Sequence, residues 1–337
     1  MNRIKHASRL RRAISAWILV LGAIASLPDG AQAANDVLGL RQPAVAVPYA
    51  TQEAILGTAR SEKRLVAVGE HGIIVISDDG GRSFHQARSV PTQAQLNAVT
   101  FAGQQGWAVG QWGVILHSTD GGETWSVQRT DAETDQPLFS TYFRDDLHGF
   151  AVGLWSILLK TDDGGKTWVT VKLPGREGMK VKYPNLYDIF GDGKGTLFIA
   201  AEQGLVLRSS DGGQTWEYLS TGYSGSFWAG CVAADGTVLV GGLRGSIYVS
   251  DDRGQSWSKA STPDQSSITA IAAYRSRFFV TGVGGAILVS DDHGKSFKTM
   301  KRSDQSPYTA ISVLGNFLVP YSTSGVGPRE PASVNAR

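Results

Sequence analysis

Apolar positions along this chain fall in short runs that come in pairs around a glycine-rich turn, with no long helical stretch after the first 33 residues. VAVGEHGIIVIS, WAVGQWGVILHS, FAVGLWSILLKT, FIAAEQGLVLRS, LVGGLRGSIYVS and FVTGVGGAILVS each read as two β-strands joined as a hairpin. A further short strand precedes such pairs, as at 96–101, 185–190 and 268–273. The pattern predicts repeated four-stranded sheets: an inner strand A, the hairpin strands B and C, and an outer strand D. The fold class it implies is all-β.

Between strands C and D an eight-residue turn returns six times, as SDDGGRSF, STDGGETW, TDDGGKTW, SSDGGQTW, SDDRGQSW and SDDHGKSF. Its third residue is always aspartate: Asp79, Asp120, Asp163, Asp211, Asp252 and Asp292, at spacings of 41, 43, 48, 41 and 40 residues. Ser or Thr stands two before, Gly two after, Ser or Thr four after, and Trp or Phe five after. A period in this range marks an array or a propeller. The short carboxylate accepts hydrogen bonds from nearby backbone N–H groups, and glycine supplies a conformation that side chains disfavour. The aromatic is expected to leave the turn and bury itself between sheets. Because the motif looks the same in every copy, the acids read as structural rather than as calcium ligands or catalysts. The motif resembles the Asp-box, or BNR repeat, of sialidases and several non-enzymatic propellers, in which it is a structural turn remote from the active site.

The chain from Ala34 onward holds about seven such periods. Residues 308–325, YTAISVLGNFLVPYSTSG, align with ITAIAAYRSRFFVTGVGG as strands A and B of a seventh repeat without its aspartate turn. The expectation is a seven-bladed β-propeller over 34–325, with six blades as the alternative. Pro43 to Tyr49 is expected to supply the outer strand of the last blade and so close the ring. Residues 326–337, with Pro328 and Pro331, are expected to form a flexible tail.

The amino terminus changes the picture of charge and compartment. Arg3, Lys5, Arg9, Arg11 and Arg12 precede an apolar stretch of about 15 residues, too short to span a bilayer, and then Ala31-Gln32-Ala33. This is the pattern of a secretory signal peptide over 1–33, cleaved before Ala34, which places the mature chain in the periplasm or outside the cell; Arg11-Arg12 leaves Sec and twin-arginine export both open. The remaining chain carries 27 Lys+Arg against 29 Asp+Glu, which argues against a basic nucleic-acid groove. A single cysteine, Cys231, excludes a disulfide framework and reads as a small core residue. Histidines are scattered, so neither a metal site nor a cofactor is expected.

In such sheets the B–C tips and D–A loops share one rim, and this rim varies from blade to blade while the aspartate turns do not. Candidate binding residues are therefore Glu70, Trp112, Trp155, Glu202 and Arg244 on the tips. The long D–A loops add Arg176, Lys180, Lys182 and Tyr183, and Tyr223 and Trp228. Trp112 and Trp155 occupy equivalent positions in adjacent blades and are expected to meet at the channel mouth, as a platform for an apolar ligand or hydrophobic loop or as a plug. The basic loop residues would steer an acidic partner.

The run from Gly106 to Trp125, GWAVGQWGVILHSTDGGETW, resembles the recurrent motif of the photosystem II stability and assembly factor family, and the likeness extends over roughly residues 50–325. This resemblance implies a seven-bladed, non-catalytic propeller that assists assembly of a membrane protein complex from the lumenal or periplasmic side. The bacterial branch outside photosynthesis implies an accessory role to an exporter. Ala98-Val99 and Ala270-Ile271 stand where arginine is frequent in the photosynthetic members, which points to a different client. The alternative is a sialidase-like glycoside hydrolase or carbohydrate-binding propeller. The hydrolase requires an arginine triad, a tyrosine nucleophile with its glutamate, and an acid. Arg244 is the only tip arginine, and Glu70 and Glu202 are the only acids that could pair there.

Overall fold

The computed structural model describes residues 39–175, 182–300 and 306–332. They form seven antiparallel four-stranded sheets, each built from consecutive strands, so the seven-bladed expectation holds. The inner strands are Ile55–Ser61, Leu96–Ala102, Leu138–Phe143, Leu186–Gly191, Phe227–Val232, Ile268–Tyr274 and Tyr308–Leu314, numbered here as blades 1 to 7.

Seven apolar clusters fill the seven spaces between neighbouring blades. One joins Val66, Val68 and Ile76 of blade 1 to Leu96, Val99 and Leu116 of blade 2; another joins Leu65 and Val75 of blade 1 to Val319 and Tyr321 of blade 7. Second strands are covered on both faces, which is why VAVG, FAVG and FIAA read as continuous apolar runs with every residue buried.

The aspartate turns are knitted by side chains. In the first, Asp79 Oδ1 accepts from Ser77 Oγ at 2.9 Å and from the backbone N–H of Ser83 at 2.9 Å, while Oδ2 accepts from Ser83 Oγ at 2.6 Å. Ser77 Oγ in turn accepts the N–H of Gly81 at 2.8 Å. The same bonds recur around Asp163 and Asp211. The glycine has a second reason beyond its left-handed φ: it seats the turn on the preceding blade. A Cβ on Gly81 would lie 2.4 Å from Val319 of blade 7, and one on Gly213 2.1 Å from Phe150 of blade 3.

The hydroxyl and then the backbone N–H of the residue four on hold Asp211 and Asp252 at a pKa of about 2, below the ordinary 3.8. Asp163 is likewise held at about 2, by the N–H and hydroxyl of Thr167. A carboxylate depressed in the folded state contributes its stability above the unfolded pKa and loses it as pH falls through the folded one. The melting temperature is therefore expected to fall steadily from about pH 4 to about pH 2. A variant with Asp211→Asn and Asp252→Asn should melt lower at pH 7 and show a shallower acid limb; thermal melts that are flat across this window would contradict the role given to the turns.

Ring closure differs from the expectation. Blade 7 completes itself from the carboxyl side: Gly325–Val326 and Glu330–Pro331 both pair with its second strand, Phe317–Ser322. The stretch expected to fray is thus part of the sheet as far as Pro331. Pro43 to Tyr49 instead lies along the outer edge of blade 1, where the Gln86 side chain bonds the N–H of Val47 at 3.0 Å and the carbonyl of Val45 at 2.9 Å. Two prolines remove donors from that stretch, and the amide of one side chain takes the bonds that a partner strand would have made. The seam between blades 7 and 1 is sealed by side chains. Thr309 Oγ1 donates to the Ile55 carbonyl, Thr58 and Ser312 hydroxyls meet at 2.9 Å, and Phe84 packs edge-on to Tyr321 at 6.4 Å.

Candidate functional site

Every inner strand carries one bulge, at the same place. Pairing with the second strand skips Leu56, Asn97, Phe139, Tyr187, Trp228, Thr269 and Thr309, each directly after the first apolar residue of its strand. These skipped residues ring the upper end of the central channel, a cavity of about 260 Å³ lined by all seven blades. Two jobs are divided among six of them. Asn97, Thr269 and Thr309 donate to the carbonyl that begins the next inner strand, locking neighbouring blades. Phe139, Tyr187 and Trp228, on three consecutive blades, form an aromatic arc: Phe139 stacks on Tyr187 at 5.7 Å, and Tyr187 meets Trp228 at 6.5 Å and 65°.

The next residue along each inner strand forms a narrower collar of Gly57, Ala98, Ser140, Asp188, Ala229, Ala270 and Ala310. Six are small; the seventh is a carboxylate. Asp188 accepts from Ser140 Oγ at 2.7 Å and from the N–H of Gly230 at 2.9 Å, and burial pushes its carboxyl up to about 6 in spite of these bonds. The nearby Cys231 thiol is pushed well above its ordinary range, by burial first and then by Asp188, so it remains a protonated core group. Ala98-Val99 and Ala270-Ile271 belong to the same channel wall.

A second concavity, of about 730 Å³, lies on the same rim between blades 3 and 4. Trp155 and Tyr183 stand 53% and 55% exposed at its edge, with Val171, Leu173, Pro174 and Tyr218 along it and Lys172 and Lys182 beside it. Lys182 Nζ sits 5.2 Å from the Tyr183 ring centre. Trp155 is presented by an unusual backbone. The tips of blades 1 to 5 all place a side-chain-bearing residue at positive φ, followed in four of them by glycine, but blade 3 has Trp155 at 53° followed by Ser156 at 62°. Two consecutive non-glycine residues in the left-handed region are costly. They are held by bonds from the Trp155 N–H to Asn185 Oδ1 at 3.0 Å and from Ser156 Oγ to the Pro184 carbonyl at 2.9 Å.

The remaining candidates scatter. Trp112 is half-buried against the core between blades 1 and 2, so it lines neither the channel nor the groove that holds Trp155. Tyr223 is an anchor, its hydroxyl donating to the Leu243 carbonyl at 2.9 Å and its ring against Phe227 and Tyr248. Arg244 is exposed on its tip. Glu70 belongs to blade 1 and Glu202 to blade 4, so they form no pair; Glu202 is engaged by the N–H and Nδ2 of Asn185 at 2.9 and 3.0 Å and by Tyr187 Oη at 3.3 Å. Arg176 and Lys180 lie outside the described residues. On the sheet exterior Asp78, His85 and Glu123 come close enough to share an ion, but Arg64 already bridges both acids at 2.7 and 3.2 Å.

Phe139, Tyr187 and Asp188 were not among the sequence candidates. The signal that finds them is the aligned triplet of apolar, variable and small residue at the head of each inner strand, in which blade 4 alone reads Leu-Tyr-Asp.

Fold and rim together define a repeat-built, seven-bladed propeller with two concave surfaces on its tip face. A family model described as photosynthesis system II assembly factor YCF48 matches residues 35–137 and 127–327, and the chain belongs to that family. Among solved structures it is similar to one described as YCF48 bound to D1 peptide, at 19% identity and a TM-score of 0.67 over 84% of this chain and 94% of the other. It is similar also to YCF48 from Cyanidioschyzon merolae, at 18% identity and a TM-score of 0.66 over 84% of this chain and 96% of the other. A comparison with curated proteins gave no match.

Proposed function

We propose that this chain is a non-catalytic assembly scaffold that captures a polypeptide segment of a membrane protein complex on its tip rim. The observation that carries the reading is the groove between blades 3 and 4, where Trp155, on a strained and doubly braced turn, and Tyr183, on the loop beside it, remain about half exposed. A soluble protein leaves such a patch uncovered where something else covers it. Family membership supports the scaffold role, and a relative's structure described as bound to a D1 peptide supports a membrane protein subunit as the kind of client. The arginine-free channel wall at Ala98-Val99 and Ala270-Ile271 favours a client outside the photosystem, and we take an exporter component as that client. The basic head and Ala31-Gln32-Ala33 support action outside the cytoplasmic membrane.

Capture from detergent-solubilised envelopes, compared between the wild type and a Trp155→Ala, Tyr183→Ala variant, tests this. Loss of two half-exposed aromatic anchors is expected to weaken capture by about 2 kcal/mol or more, with the melting temperature nearly unchanged. Equal capture by both proteins would remove the groove as the client site. Sialoside turnover by the wild type would overturn the non-catalytic reading altogether.

A further inference from the structure

The groove leaves the central channel without a role, yet its lining is not neutral. Among the described residues that line it there is one carboxylate, Asp188, and no lysine, arginine or histidine. Directly above it, one position earlier in three consecutive inner strands, stand the rings of Phe139, Tyr187 and Trp228, all half-buried and facing the same opening. Aromatic faces attract an organic cation, and an uncompensated carboxylate between low-dielectric walls concentrates that attraction on one spot.

We propose that the channel mouth binds a single basic side chain of a partner polypeptide, a lysine ammonium or an arginine guanidinium, stacked on the aromatic arc with its charge directed at Asp188. The inference rests on the reading of the tip rim as a polypeptide-binding face, and it adds the chemistry of the bound segment. A metal ion suits the place poorly. Both Asp188 oxygens already accept hydrogen bonds, no second carboxylate lines the channel, and both Glu202 oxygens are engaged by Asn185. An acidic segment would set like charges together in a poorly solvated space.

The site also predicts a pH dependence. The titratable group that interacts with Asp188 is the Cys231 thiol on the next inner strand, while the Tyr187 phenol on its own strand is turned to Glu202; burial raises both, so neither changes charge between pH 5 and 8. Glu202, linked through Tyr187 Oη, supplies further negative charge at the rim. Protonation of Asp188 as pH falls through about 6 removes the charge that the cation answers, so affinity should drop on the acid side.

The test is a titration of the purified chain with acetyl-Gly-Lys-Gly-amide, acetyl-Gly-Arg-Gly-amide and acetyl-Gly-Gln-Gly-amide, followed through the Trp228 indole resonance, assigned with Trp228→Phe. The lysine and arginine peptides should shift that resonance at pH 7.5 with at least about tenfold higher affinity than the glutamine peptide. Asp188→Asn should remove most of the difference, and lowering the wild type to pH 5 should do the same without any substitution, which keeps the test open should the variant fold poorly. Equal response to all three peptides, no response to any, or a cation response unaltered at pH 5 would overturn the proposal. Such a failure with client capture intact removes the cation site alone, whereas loss of the groove's role in client capture leaves this titration unaffected.

Discussion

Replacing Gly213 with alanine is expected to destabilise the protein by about 3 kcal/mol or more, while the same change one residue earlier, at Gly212, costs about 1 kcal/mol. Both glycines adopt left-handed φ, at 86° and 73°, so both substitutions carry the backbone penalty. Only Gly213 faces a neighbour that cannot give way. Its added Cβ would stand 2.1 Å from Phe150 Cζ, and Phe150 is itself 4% exposed and packed edge-on against Trp216 at 6.1 Å. At Gly212 the nearest atom is Arg144 Nη1 at 3.3 Å, the free end of a flexible chain. Urea unfolding of the two variants separates the terms; equal losses would mean that the turn does not seat on the preceding blade.

Trp107→Ala should cost about 4 kcal/mol. This indole is fully buried, lies flat on Phe143 of the next blade with ring centres 3.5 Å apart and planes 5° from parallel, and donates from Nε1 to the Gly164 carbonyl at 3.0 Å. Most of the loss is the cavity between blades 2 and 3. The orphaned acceptor contributes little, because Gln128 Nε2 also donates to Gly164 at 2.9 Å. Trp107→Phe, which keeps an aromatic ring and loses the N–H, is therefore expected to cost about 1 to 2 kcal/mol, and a Phe variant as unstable as the Ala variant in urea would refute this division.

The repeated sheets were legible because their causes are local. An aspartate with Ser or Thr on both sides and a glycine between makes its hydrogen bonds within its own eight residues, so the motif stays intact in the sequence. Strand order within a blade follows from hairpin connections for the same reason. Closure was not legible, since it turns on which edge Pro43 to Tyr49 prefers, and that preference is set by the amide of Gln86, some forty residues away. The rim was legible in part. Trp155, Lys182, Tyr183 and Trp228 fall on its two concavities, but Trp112, at the same tip position as Trp155, is drawn onto a core by its neighbours. Asp188 escaped notice because a charged residue in a strand that otherwise reads LYDIF looks like ordinary alternation; its isolation shows only when the seven collar positions stand in one ring.

Among the described residues, the seam between blades 7 and 1 is the one joint in the ring that neither a peptide linker nor a shared sheet crosses. Its apolar cluster and threonine bonds behave as an interface between two separate molecules would, with the other five blades serving as a curved tether. A tether that holds two complementary faces in register gives them a high effective concentration, so a modest patch suffices to keep them together. Thermodynamically, then, the closed ring is an intramolecular complex whose dissociation would leave every sheet intact.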